Sequence, residues 1–131
     1  IQNDYSKCFG IINHIPNTHL HITDCWGVND IKQLEQYNIK HILIGSIIKK
    51  HPGYIYHHIL ISDELSLEKQ NIVVNCQAGV SRSASFIIGY LIKNGLNYED
   101  SYELLKTSRP IISPNKGFIE QLKQYEKSLK I

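Results

Sequence analysis

Ile72-Val73-Val74-Asn75-Cys76-Gln77-Ala78-Gly79-Val80-Ser81-Arg82-Ser83-Ala84-Ser85 is the stretch from which the rest of the chain can be read. Ile72 to Val74 is a β-branched apolar run and reads as a buried strand. Ala84, Phe86, Ile87, Ile88, Tyr90, Leu91 and Ile92 then give the pattern of a largely buried helix. The link between them is short, and small residues such as Ala78, Gly79 and Ser81 let its backbone curl closely around a ligand. A loop that feeds a helix N-terminus turns unpaired N–H groups inward, and the helix dipole adds positive potential. Such a loop cradles an anion. Arg82 adds a planar fork of donors that matches two phosphate oxygens at once. The same field favours the thiolate of a cysteine beneath it, so Cys76 is expected to be a nucleophile aimed at phosphorus.

Working outward, Ile11 to Ile15 and His19 to Ile22 read as two short strands joined at Pro16-Asn17. Asn29-Asp30 offers an N-cap for a short helix carrying Ile31, Leu34 and Tyr37 on one face, with Asn38 as its stop. Ile39 to Ile44 is a nearly continuous apolar run that suggests a central strand covered on both faces. Tyr54 to Ile61 supplies another strand after the Pro52-Gly53 turn. Beyond the loop, helices are predicted from about Ser83 to Asn94, stopped by Gly95, and from an Asn97 cap to Ser108. A last helix starts near Pro114-Asn115 and carries Phe118, Ile119, Leu122, Tyr125 and Leu129. This order predicts an α/β fold in which a central, mostly parallel sheet of about five strands is flanked by helices.

At 131 residues, with 42% hydrophobic and 20% charged residues, the chain is expected to form one domain spanning 1–131. A net charge of +2 gives no argument for a nucleic-acid or membrane partner. No apolar run approaches a membrane span, and the polar first residues do not resemble an anchor. Three cysteines, Cys8, Cys25 and Cys76, form no paired framework and no Cys-x-x-Cys zinc pattern. The odd count without a secretory leader points to a reducing compartment, the cytoplasm or nucleus. His19, His21, His57 and His58 lack clustered acidic or cysteine partners, so they read as sheet residues rather than a zinc site. Cys25 reads as a partly buried thiol, and Arg109, before Pro110, as a solvated helix end more readily than as a second phosphate contact.

Cys-x5-Arg-Ser, with Ala78-Gly79 and Ser81-Arg82-Ser83-Ala84 filled in, resembles the cysteine-dependent dual-specificity protein phosphatases, including the catalytic domains of MAP-kinase phosphatases. Tyr37 to Leu43, Tyr56 to Asp63, and Ile112 to Asn115 with Phe118, Gln121-Leu122 and Tyr125-Glu126 resemble further parts of that family. The resemblance implies a phosphorylated protein substrate, hydrolysis of phosphotyrosine and phosphoserine or phosphothreonine, and no metal or other cofactor. It makes Cys76 the nucleophile and Asp63 the general acid, with Ser83 assisting departure of the thiolate. Gln77, Ala78, Gly79, Val80, Ser81 and Arg82 would hold the phosphate. Oligomeric state is not readable from the sequence.

Two departures stand out. Asn75 replaces the histidine that the family normally places before the cysteine, which predicts a higher Cys76 pKa and slower turnover. Only Glu64 to Asn75 separate Asp63 from Cys76, where the family has a longer segment with a helix. Parallel strands normally need a dozen or more residues between them, so either the helix has been lost or, as the exposure of sheet face that its loss would cause favours, residues are missing from the sequence. A phosphate-binding pseudophosphatase is the alternative, motivated by Asn75. Retention of Cys76, Arg82, Ser83 and Asp63 speaks for an enzyme. Sulfur transfer or arsenate reduction fits poorly, because the motif lies mid-chain and has no resolving cysteine beside it in sequence.

Overall fold

The computed structural model describes residues 8–45, 51–58, 70–77 and 80–129. Its strands are β1 (Asn13–His14), β2 (Leu20–Thr23), β3 (His41–Gly45), β4 (Ile55–His58) and β5 (Ile72–Cys76). Its helices are α1 (Ile31–Gln36), α2 (Arg82–Lys93), α3 (Tyr98–Ser108) and α4 (Lys116–Ser128). One five-stranded sheet runs in the order β1-β2-β5-β3-β4. Only β1 is antiparallel to its neighbour, and the other pairings are parallel. The expected mostly parallel α/β sheet is therefore what the chain forms.

Strand β5 lies between β2 and β3, and all five of its residues are buried. Apolar side chains on both faces explain why Ile72, Val73 and Val74 form a continuous run rather than an alternating one. On one face, Leu20, Ile22, Leu43, Ile72 and Val74 meet Ala84, Ile87, Ile88 and Leu91 of α2, with Leu105 and Leu122 beyond them. On the other, Ile42 and Val73 pack with Ile12, Val28, Leu34 and Ile39. Fully burying an Ile or Leu side chain contributes about 1.5–3 kcal/mol, so these two layers hold β5 firmly where the chain leaves it at Cys76.

The predicted stops and caps occur where the side chains could supply them. The Asp30 carboxylate accepts from Lys32 N and Gln33 N at the start of α1. Asn97 caps α3 through Asp100 N, and Asn115 caps α4 through Phe118 N. Gly95 takes φ +108 just past α2, a left-handed conformation that favours glycine. Asn17 and Asn38 hold left-handed backbone at the β1–β2 turn and the end of α1. β1 is shorter than the Ile11 to Ile15 run and β3 begins two residues into the Ile39 to Ile44 run, whereas β2 is displaced by one residue from His19 to Ile22 and β5 extends past Val74 to Cys76. Residues 59–61 of the expected fourth strand, Asp63, and residues 64–69 of the short segment between Asp63 and Cys76 lie outside the described residues.

Candidate active site

Cys76 closes β5 and is buried, with 7% of its surface exposed. Its sulfur lies 3.3 Å from the Ser83 hydroxyl oxygen, and Ser83 is fully buried in the first turn of α2. The end of β5 and the start of α2 thus converge. Ser81 occupies the N-cap position of α2, yet its side chain makes no capping hydrogen bond. Asp30, Asn97 and Asn115 do cap α1, α3 and α4. The helix beside Cys76 therefore keeps its first-turn amides clear of a capping oxygen, which suits them to an anion.

Arg82 opens α2 with its side chain exposed. It makes no hydrogen bond or ion pair among the described residues, so its guanidinium is not committed to the fold there. Gln77 is exposed, and its carbonyl accepts from Cys25 N at 3.2 Å. On the far side of the loop, the Val80 carbonyl accepts from Ser113 N at 2.6 Å. Ala78, Gly79 and Asp63 lie outside the described residues. The structure brings Cys76 and Ser83 together and sets Gln77, Val80, Ser81 and Arg82 around them.

Asn75, in place of the family's histidine, is fully buried, and its amide donates to the Leu43 carbonyl at 2.9 Å. It ties the end of β5 to β3 and brings no positive charge of its own to the cysteine. On the neighbouring turn, Cys25 is partly buried, as its sequence context suggested. Burial first, then the charge of Asp24 and of Cys76, push the Cys25 thiol above its ordinary range.

One expectation is corrected here. Arg109 is not a solvated helix end but is fully buried. Its Nη2 donates to Asp24 Oδ2 at 2.8 Å, and Nη1 donates to Cys8 O, Ile11 O and Asn13 Oδ1 at 3.1, 3.0 and 2.8 Å. Asp24, also fully buried, accepts in addition from Gly10 N, Trp26 N and Gly27 N. A buried charge persists only when paired and hydrogen-bonded, and both conditions are met. The pair joins the two segments that grip the catalytic loop, the Cys25 turn and the chain leading from Arg109 to Ser113. Nothing in the sequence marked Asp24, and Ser113 stood out only as part of the Ile112 to Asn115 resemblance. The one local hint to Arg109 was its position between the apolar residues Leu105 and Ile112, both buried.

Among the described residues, no group of three or more His, Cys, Asp or Glu side chains could hold a metal ion. His14, His19 and His21 gather instead at the β1–β2 edge, where the His14 and His21 ring centroids are 4.9 Å apart. Burial above all, with the charges of His14 and His19, lowers the His21 pKa from 6.5 to about 4, while a hydrogen bond to the Ile72 carbonyl opposes the shift. Also among the described residues, no helix is long and apolar enough to cross a membrane.

This strand–loop–helix constellation has close counterparts. The family model for the dual specificity phosphatase catalytic domain matches residues 12–128, and the chain belongs to that family. Human "Dual specificity protein phosphatase 8" is 44% identical over 70 residues, covering 53% of this chain and 11% of that protein. Mouse "Protein phosphatase Slingshot homolog 1" is 32% identical over 130 residues, covering 82% of this chain and 12% of that protein. The chain thus spans only about a tenth of the length of these relatives. "Putative tyrosine phosphatase 123R" of Invertebrate iridescent virus 6 is 39% identical over 101 residues, covering 72% of this chain and 69% of that protein. Among solved structures, a mouse putative dual specificity phosphatase complexed with zinc tungstate superposes with a TM-score of 0.80 at 19% identity, covering 99% of this chain and 95% of that one. Human tyrosine phosphatase-like serine/threonine/tyrosine-interacting protein gives 0.77 at 22% identity, covering 92% and 98%. At these identities the structural likeness speaks for the fold.

Proposed function

We propose that this chain is a protein phosphatase that hydrolyses phosphotyrosine and phosphoserine or phosphothreonine through a cysteinyl-phosphate intermediate. The observation that carries this reading is the buried Cys76 sulfur 3.3 Å from the Ser83 hydroxyl, under a helix start left without a side-chain cap. Family membership supports a phosphorylated protein as substrate.

In the first step the Cys76 thiolate attacks phosphorus, a sulfur–phosphorus bond forms and the ester oxygen departs. Asp63 gives that oxygen its proton. Backbone N–H groups from Gln77 to Arg82, through Ala78, Gly79, Val80 and Ser81, hold the equatorial oxygens together with the Arg82 fork. In the second step Asp63 takes a proton from water, whose oxygen attacks phosphorus. The sulfur leaves as thiolate, steadied by the Ser83 hydroxyl, and inorganic phosphate is released. Phosphate monoesters hydrolyse extremely slowly in water, so most of the catalysis must come from preorganised charge around the transferring group. Since Asn75 donates to Leu43 O and carries no charge, the thiolate is less favoured than with a histidine there, and turnover is slower.

Hydrolysis of p-nitrophenyl phosphate by the native chain, abolished in Cys76→Ser, tests the activity. A pH–rate profile of Asp63→Asn tests the acid, since loss of the basic limb is expected and an unchanged limb removes the assignment. Tight vanadate binding by the native protein with no turnover would replace this reading with a phosphate-binding pseudophosphatase.

A further inference from the structure

We propose that Phe9, Ile11 and Trp26 form an apolar platform beside the catalytic loop, and that it receives an apolar side chain flanking the phosphorylated residue of a protein substrate. The inference rests on the phosphatase reading above and names the sequence context that such a phosphatase prefers.

Trp26 is 58% exposed, Phe9 42% and Ile11 41%. They make up three of the five large apolar side chains that stand exposed among the described residues. The two aromatic rings meet edge to face with centroids 5.9 Å apart, and Ile11 follows Phe9 by two residues. Exposed apolar residues scattered singly need no explanation, but a contiguous aromatic patch marks an interaction surface.

The patch is built rather than left over. Asp24 accepts from Trp26 N at 3.0 Å, from Gly27 N at 2.8 Å and from Gly10 N at 2.8 Å. One buried carboxylate therefore holds the turns that present Trp26 and Phe9. Gly27 sits so close to Thr23 that a Cβ there would lie 1.9 Å from the Thr23 hydroxyl oxygen. The backbone under Trp26 is thus pinned, and its indole stays outward instead of folding onto the core. An ordered, two-torsion aromatic side chain gives contact area at low entropic cost, which is what a recognition surface needs.

Position selects the occupant. The platform is continuous with the loop that would hold the phosphate, because Cys25 N donates to the carbonyl of Gln77, the residue after Cys76. β2 and β5 run parallel, so the turn carrying Trp26 leaves the same end of the sheet as the loop. A phosphorylated residue seated over Cys76 must carry its neighbours across that rim. Two to three residues of extended chain reach about 7–10 Å, enough to pass from the loop onto the adjacent turn. The platform has no charge of its own, so it suits an aliphatic or aromatic side chain rather than an acidic one.

Trp26 is the chain's single tryptophan, so its emission reports this surface alone. The probes are two phosphotyrosine peptides, identical except for Leu or Ser at the second position on each side of the phosphotyrosine. In Cys76→Ser, the Leu peptide is expected to blue-shift Trp26 emission at saturation, and the Ser peptide to shift it little. In the native chain, kcat/KM should favour the Leu peptide by about tenfold, the value of one aromatic contact of roughly 1.4 kcal/mol. That ratio should fall toward one in Trp26→Ser and in Phe9→Ser. An unchanged ratio in both variants overturns the proposal. So does Trp26 emission already blue-shifted in the free protein and unmoved by the Leu peptide, which would mean that another segment or a second copy covers the platform. Absence of p-nitrophenyl phosphate hydrolysis by the native chain would instead remove the phosphatase reading, and the emission shift in Cys76→Ser would still decide the platform.

Discussion

Arg82 and Arg109 have similar settings in the sequence, each at one end of a helix, yet the fold uses them in opposite ways. Arg82 is exposed at the start of α2 beside Cys76 and makes no hydrogen bond or ion pair among the described residues. Arg109 is fully buried past the end of α3, where Asp24, Asn13 and two backbone carbonyls take up its guanidinium. A guanidinium bound by the protein on several sides has no donors to spare for a ligand, whereas an exposed one beside an uncapped helix start does. The contrast shows that charge alone does not identify a ligand-binding arginine. What counts is whether the protein has already used its donors.

The largest effect should come from breaking the buried member. Arg109→Met leaves the Asp24 carboxylate buried and without its ion-pair partner, and is expected to cost about 3–5 kcal/mol in urea unfolding. Asp24→Leu with Arg109→Met should recover part of that loss, since replacing both charges avoids leaving one stranded. A single variant as stable as the native chain would contradict the burial. Arg82→Lys is the counterpart. Replacing the fork by a point charge should lower kcat/KM for p-nitrophenyl phosphate by roughly 100-fold, with the thermal midpoint moving by no more than about 1 °C. Comparable stability losses in the Arg82 and Arg109 variants would erase the distinction between them.

A smaller effect tests how firmly the Asp24 turn is held. Gly27→Ala drives a methyl into the Thr23 hydroxyl and should destabilise by about 1–3 kcal/mol, read by urea unfolding, as the turn shifts to make room. The smallest effect concerns His21, in the strand β2 that leads into this turn. Because the His21 pKa falls from 6.5 to about 4 on folding, the unfolded chain binds the proton first as the pH drops. Stability is therefore full above about pH 6.5, declines as pH falls toward 4, and levels off below it. Between about pH 7 and about pH 5.5 the loss should be on the order of 1 kcal/mol, and His21→Phe should flatten it. An equal slope in the native chain and in His21→Phe would assign the titration elsewhere.

Much of the architecture was legible because it is written in local patterns. The run Ile72 to Val74 read as a buried strand, and Asp30, Asn97 and Asn115 were placed to start helices, since each puts an acceptor before unpaired amides. The Cys76 to Ser83 string pointed to an anion loop on similar grounds, and the sulfur and hydroxyl do lie side by side. Strand ends were less legible, because pairing and not composition sets them. Arg109 was misread because Pro110 beside it signals a helix end but says nothing of what the end packs against.

From residue types and spacing alone came the parallel α/β plan, the nucleophile candidate and its loop, all of which depend on neighbours within one or two turns of chain. Tertiary structure alone decided that β5 lies between β2 and β3, that Arg109 meets Asp24 across 85 positions of sequence, and that Cys25 and Ser113 clasp the loop from either side. Contacts between distant segments leave no periodic trace in either partner. They exist only once two hydrophobic layers have closed on the sheet and taken the water away from the charges between them.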